Sequence, residues 1–177
     1  MNITQWAGAF LSEHVSCTSG HDSGPIVNEF LAYCGLPAGN PWCAAFVSYC
    51  AHKALFDAGV EEPADSHFKS ASSQHIKAWA SSAGLLSEDA GDLMNWHGAL
   101  GGWTDEGDSS HGHVFLIVRR LTDSAGNVVA IGTIEGNSDS APMDAVNALV
   151  RTVPVTEEGH KMWFVNIGRI AGCGYWE

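Results

Sequence analysis

The chain has 177 residues, 45% apolar and 10% aromatic, enough to bury one sizeable core but not two independent ones. Charged residues are only 16% of it and glycines number 20, a balance that excludes a disordered tail, a coiled coil and a collagen-like repeat. With 20 acidic residues against 8 basic the net charge is −12, so phosphate backbones and anionic lipid surfaces are repelled, and neither nucleic acid nor membrane is an expected partner.

The amino terminus, Met1-Asn2-Ile3-Thr4-Gln5-Trp6, carries no cationic region and no long apolar run before Ser12 and Glu13, so no Sec-type signal is expected. Apolar stretches such as Val114 to Val118 fall far short of the roughly 20 residues that span a bilayer. A soluble monomer of one domain, residues 1–177, is expected. Cys17, Cys34, Cys43, Cys50 and Cys173 form no CxxC pair, which indicates neither a zinc knuckle nor a thioredoxin-type motif. Without an export signal the expected state is reduced thiols.

The first half reads as helices. One runs from Ile3 to about Val15. A second starts at Ser23-Gly24-Pro25, with Pro at the first helical position, and stops at Gly35; Ile26, Val27, Phe30, Leu31 and Cys34 share its buried face. A third is expected from Asn40-Pro41-Trp42-Cys43, Asn40 as cap and Pro41 as first residue, to Gly59, with Cys43, Phe46, Val47, Cys50 and Ala54 toward the core. A fourth spans about Ser66 to Ala83, ahead of Gly84. Residues 98–111, rich in Gly, Asp and Ser, read as a loop. Strands are expected at Asp92–Trp96, Val114–Leu121, Val128–Glu135, Ala148–Pro154 and Met162–Ile170, the second and third joined by a turn at 123–127. Helices followed by a run of strands indicate an α+β fold, N-terminal helices packed on a mainly antiparallel sheet.

Cys43 is the most informative residue. In the first turn of a helix its sulfur sits among free amides and at the positive end of the dipole, which favours a thiolate. A buried structural cysteine is the bland alternative. A nucleophilic thiol needs a base, and His113 suits, placed where a Gly-rich loop enters an apolar strand. His111 lies two residues before it, so a metal pair on one strand face is the rival reading, without a third ligand at a recognisable spacing. Across the turn at 123–127, Glu135 and Asn137 alternate onto one face, and either can hold the far nitrogen of His113. Trp42, beside the nucleophile, either lines a groove or sits in the core.

Gly39-Asn40-Pro41-Trp42-Cys43-Ala44-Ala45-Phe46-Val47-Ser48, Gly91-Asp92-Leu93, Gly112-His113-Val114 and Thr133-Ile134-Glu135-Gly136-Asn137 together resemble, in order, the motifs of the cysteine, histidine-dependent amidohydrolase/peptidase (CHAP) family. Ser23-Gly24-Pro25, Tyr33 and Gly35-Leu36-Pro37 extend the likeness upstream, so it covers roughly residues 20–170. The resemblance implies a papain-like fold and cleavage of an amide bond in peptidoglycan, in the stem peptide or cross-bridge or between muramic acid and L-alanine. It assigns Cys43 as nucleophile, His113 as general base and then acid, Glu135 as orienting acid and Asn137 as an auxiliary polar group, with the Cys43 main-chain N–H on the oxyanion. Phe115 stands where many members have Gly; its bulk either narrows the substrate groove or packs in the core. The calcium loop of some phage members has no counterpart in His21-Asp22-Ser23-Gly24-Pro25, which offers one carboxylate, so no metal and no cofactor are expected.

After Glu135 no separate wall-binding module is expected. An acidic chain without an export signal fits an effector delivered into a neighbouring cell, with a cognate immunity protein as partner, or a phage lysin. A non-catalytic peptide- or protein-binding module on the same fold, and a cysteine-dependent deamidase or acyltransferase acting on proteins, are the competing functional readings.

Overall fold

Asn2 and Gln5 close a capping box that starts α1 (Ile3–Ser12): the Asn2 side chain accepts from the Gln5 N–H, and the Gln5 side chain accepts from the Asn2 N–H. The computed structural model describes residues 1–61, 69–92, 98–138, 144–152 and 159–165. Pro25 opens α2 (Pro25–Tyr33) as expected, and Gly35, at φ 77°, stops it. The third helix, α3 (Cys43–Asp57), starts later than the Asn40 cap anticipated from sequence. Asn40 donates Nδ2 to the Pro37 carbonyl at 2.9 Å instead, leaving Trp42 at the cap position with no side-chain bond to the helix. Cys43 is therefore the first helical residue itself.

Apolar residues surround α3 on nearly every side, and ten of its 15 residues are buried, which suits a helix enclosed by other elements. It packs between α1 and α2 on one side and the sheet on the other. Phe10, Phe30, Trp42, Phe46 and Tyr49 fill the helical layer, their ring centroids 5.1–6.5 Å apart. α4 (Ser73–Ser82) starts later than the sequence suggested. Ser70 to Ser72 are not helical, and the Ser72 hydroxyl caps the helix by accepting from the His75 N–H at 3.2 Å. The expected start at Ser66 lies outside the described residues.

Six strands follow: β1 (Leu86–Ser87), β2 (Leu100–Asp105), β3 (Gly112–Thr122), β4 (Val128–Ser138), β5 (Ala145–Thr152) and β6 (His160–Val165). They form one antiparallel sheet in the order β1-β6-β2-β3-β4-β5. The chain is thus α+β with its N-terminal helices packed on an antiparallel sheet, as expected. The β3–β4 hairpin closes at 123–127, where the Asp123 N–H donates to the Asn127 carbonyl at 2.9 Å and Gly126 takes φ 87°.

Three expectations for the strands need correction. Asp92 ends a short 3-10 turn, Ala90–Asp92, rather than opening a strand, and 93–97 lie outside the described residues. β5 starts earlier than Ala148, and β6 starts at His160; the expected ends of both lie outside the described residues. β2 runs through a stretch read as loop because Gly101 and Gly102 resemble turn residues. They are required by packing: a Cβ on Gly101 would run into the Phe115 ring, and one on Gly102 into the Trp163 ring and the His113 carbonyl.

The sheet has a core on each face. Leu100, Val114, Leu116, Ile134, Val146 and Trp163 pack toward the helices, while Phe115, Ile117, Ile131 and Phe164 form a second cluster. His113 shares its strand alternation with Phe115, and Glu135 with Ile131 and Thr133.

Candidate active site

β4 reaches α3 through a glycine. A Cβ at Gly136 would lie 2.7 Å from Phe46 Cβ and 2.8 Å from Trp42 Cζ3, so only a bare backbone lets the strand rest on the first turn of the helix. That contact brings Cys43, at the head of α3, to the start of β3 and to the residue before Gly136 on β4. Cys43, His113 and Glu135 meet there, 7%, 8% and 1% exposed. His113 Nε2 lies 2.9 Å from Glu135 Oε2, and the ring also hydrogen-bonds Cys43. With Nε2 on the carboxylate, Nδ1 is the nitrogen left for the sulfur.

The charges in this array sustain one another. Burial alone would push the Cys43 thiol up, but the hydrogen bond and charge of His113, with the main-chain N–H groups of Val114 and Ala44, bring it below the ordinary thiol range. Burial opposes a charged His113, yet its bonds to Cys43 and Glu135 and their negative charges raise it to about 10. Glu135 is likewise opposed by burial, and His113 and Arg151 hold it down at about 2. These directions all favour a thiolate–imidazolium pair backed by a carboxylate. Cys50, two turns further along the same helix, is pushed well above the ordinary thiol value by burial.

Glu135 has further partners that sequence reasoning did not single out. The Thr133 hydroxyl donates to Oε1 at 2.5 Å. Arg151, on β5, donates Nε to Oε1 at 3.0 Å and Nη2 to Oε2 at 2.9 Å. Trp103, half-buried on β2, is the register partner of His113, and its ring flanks the imidazole at 5.9 Å and 28°. His160 packs against the same indole, tilted, at 4.0 Å. Trp103 was hidden in a stretch read as loop; Arg151, one basic residue among 8, was detectable only as a cation in an apolar strand.

The remaining sequence candidates fall into place as follows. Trp42 and Phe115 are each 0% exposed: both belong to the core, and neither faces a groove. Trp42 packs on Phe30 and Phe46, and Phe115 lies beneath the Arg151 guanidinium, whose Cζ is 4.9 Å from the ring centre. Asn137, half-buried at φ 54°, leaves the far nitrogen of His113 to Glu135. His111 is exposed and bonds Asp108 at 2.8 Å, so it does not join His113 in a metal pair. Cys17, Cys43 and Cys50 are free thiols; Cys173 lies outside the described residues.

A second carboxylate does reach the His21–Asp22 turn. The Cys17 N–H donates to the Asp144 carbonyl and Ser16 bridges Ala145, and donor atoms of His21, Asp22 and Asp144 lie within 4.8 Å of one another. The His21 ring itself sits between the two acids, Nδ1 at 3.0 Å from Asp22 and Nε2 at 3.9 Å from Asp144. Its hydrogen bond to Asp22 and the charge of Asp144 raise its pKa.

Fold and site together define an antiparallel α+β protein with a buried Cys–His–Glu array at a helix N-terminus. No protein-family model, no curated protein and no solved structure matches the chain.

Proposed function

We propose that the protein is a papain-like thiol hydrolase that cleaves an amide bond of bacterial peptidoglycan. One observation carries the chemistry: a helix-start cysteine bonded to an imidazole whose other nitrogen sits 2.9 Å from a buried carboxylate. The substrate class is supported by the Pro41-Trp42-Cys43-Ala44-Ala45-Phe46-Val47 string and the Gly112-His113 and Glu135-Gly136-Asn137 motifs, which resemble those of CHAP enzymes.

In the proposed reaction the Cys43 thiolate attacks the carbonyl carbon of the wall amide. The oxygen takes up negative charge facing the Cys43 main-chain N–H, one of the free amides at the helix start. His113 Nδ1–H then protonates the leaving nitrogen as the C–N bond breaks, leaving a thioester and a neutral imidazole. That imidazole takes a proton from water, the hydroxide adds to the thioester, and Cys43 leaves as thiolate with the imidazolium restored. Glu135 keeps the ring oriented and stabilises its charged form throughout. Delivery by a secretion system or during phage lysis, with an immunity protein in a producing cell, is part of the same reading.

Purified sacculi incubated with the protein should release new amines or muropeptides, and Cys43→Ala should release none. Mass spectrometry of the products identifies the bond from the new terminus. Activity that persists in Cys43→Ala removes the mechanism. An unmodified sacculus beside a rapidly alkylated Cys43 moves the substrate to another amide.

A further inference from the structure

We propose that Arg151 is a positioning residue of this site, a cation that keeps Glu135 ionised and thereby keeps Cys43 a thiolate. The inference rests on the thiol-hydrolase reading above and concerns what makes its buried charges compatible. Four groups of alternating sign follow one another in a chain of contacts: Cys43, His113, Glu135 and Arg151. The middle carboxylate is 1% exposed, where an unpartnered negative charge is strongly disfavoured.

The guanidinium meets that carboxylate as a fork. Nε and Nη2 donate to different oxygens at 3.0 and 2.9 Å, the bidentate geometry in which arginine binds a carboxylate most strongly. Arg151 is held in turn by the Phe115 ring beneath it at 4.9 Å. Phe115 is thus accounted for as a floor for the cation. The Phe115 ring also fills the space that Gly101 leaves open on β2.

Without a positive charge at 151, three ionised groups would carry a net charge of −1 in a buried site. The array would relieve this by binding a proton, at the sulfur or at the carboxylate, and every titration in it would move to higher pH. The described groups facing Glu135 are His113 from β3, Thr133 beside it on β4, and Arg151 and the register partner Asn147 from β5; α3 adds Cys43 through His113. Of these, Arg151 supplies the fixed positive charge, since arginine does not titrate in the working range.

The test is the pH profile of Cys43 alkylation by iodoacetamide, read by peptide mass spectrometry on the full chain. Arg151→Gln keeps a hydrogen-bond donor and loses the charge; its acid limb should move up by at least one pH unit, a tenfold loss of rate below the midpoint. Arg151→Lys keeps the charge and should shift less than half as far. A folded Arg151→Gln with the wild-type profile overturns the proposal, as does Arg151→Lys shifting as far as Gln. Should Arg151→Gln not fold, the carboxyl 13C titration of Glu135 in the wild-type protein decides: a midpoint well below 4 supports the clamp, and one near the ordinary glutamate value overturns it. The two readings fail differently. A wild-type Cys43 that alkylates no faster than a free thiol sinks the thiol-hydrolase reading, whereas an activated Cys43 indifferent to Arg151→Gln sinks only the role of the arginine.

Discussion

Gly136→Ala probes the contact that assembles the site. The added methyl carbon would lie 2.7 Å from Phe46 Cβ and 2.8 Å from Trp42 Cζ3, roughly an ångström inside the ~3.5–4.0 Å optimum for two carbons. Neither neighbour can yield cheaply. Phe46 Cβ is one bond from the α3 backbone, and Trp42 is wholly enclosed. Strand and helix must separate, so the cost should sit at the upper end of the ~1–3 kcal/mol typical of overpacking. At ~2–4 °C per kcal/mol for a chain of this size, Tm should fall by ~6–12 °C. Because the same contact sets Glu135 and His113 against Cys43, alkylation of Cys43 at pH 7 should slow as well. Gly8 is the control: it lies inside α1 with open space around its Cβ position, and Gly8→Ala should stabilise by ~0.4–1 kcal/mol. Calorimetry and timed alkylation of both variants decide the matter. A Gly136→Ala protein that melts within a degree of the parent and alkylates at the parent's rate would refute the reasoning.

Stability should depend on pH through the same array. Glu135, held at about 2 against an ordinary 4.5, contributes stability that is fully present above about pH 4.5 and is lost as pH falls through 2, on the order of 3 kcal/mol. His113, raised from 6.5 to about 10, contributes stability that is present below pH 6.5 and lost as pH rises through 10. Urea midpoints should therefore fall as pH drops below about 4.5, and Glu135→Gln should flatten that acid side; an unchanged acid limb in that variant contradicts the assignment. The two tryptophans should separate cleanly. Trp42→Ala should cost ~3–5 kcal/mol, as large-to-small changes in a core do, visible in the urea midpoint. Trp103→Ala, at a half-buried ring flanking His113, should retain the fold and slow release of muropeptides from sacculi. The reverse pattern would show that their places have been exchanged.

Much of this architecture follows from local signals. The Pro25 start and Gly35 stop of α2, the apolar spacing of α3 and the hairpin turn at 123–127 are each written within a few residues, because backbone φ preferences and amphipathic periodicity act over a turn or a strand. Cys43, His113 and Glu135 were legible for the same reason: a helix start, a loop-to-strand junction and a strand end are local features whose chemistry is recognisable before they meet.

Other features exist only in three dimensions. The start of α3 moved to Cys43 because Asn40 found the Pro37 carbonyl, a competition between two local bonds that spacing does not rank. β2 reads as loop in the sequence because glycine pairs look like turns; the rings that fill the places of their side chains come from β3 and β6. Trp42 and Phe115 look like groove residues beside a nucleophile and a base, yet enclosure is a property of what packs over them. Arg151 reaches Glu135 from a neighbouring strand, and sheet register alone determined which carboxylate it would meet. Sequence determines the elements and the reactive groups they carry, because those preferences are short-ranged. Which groups share a buried space is decided by packing between elements distant along the chain, and that is what turns a cysteine at a helix start into one member of a charge-balanced set.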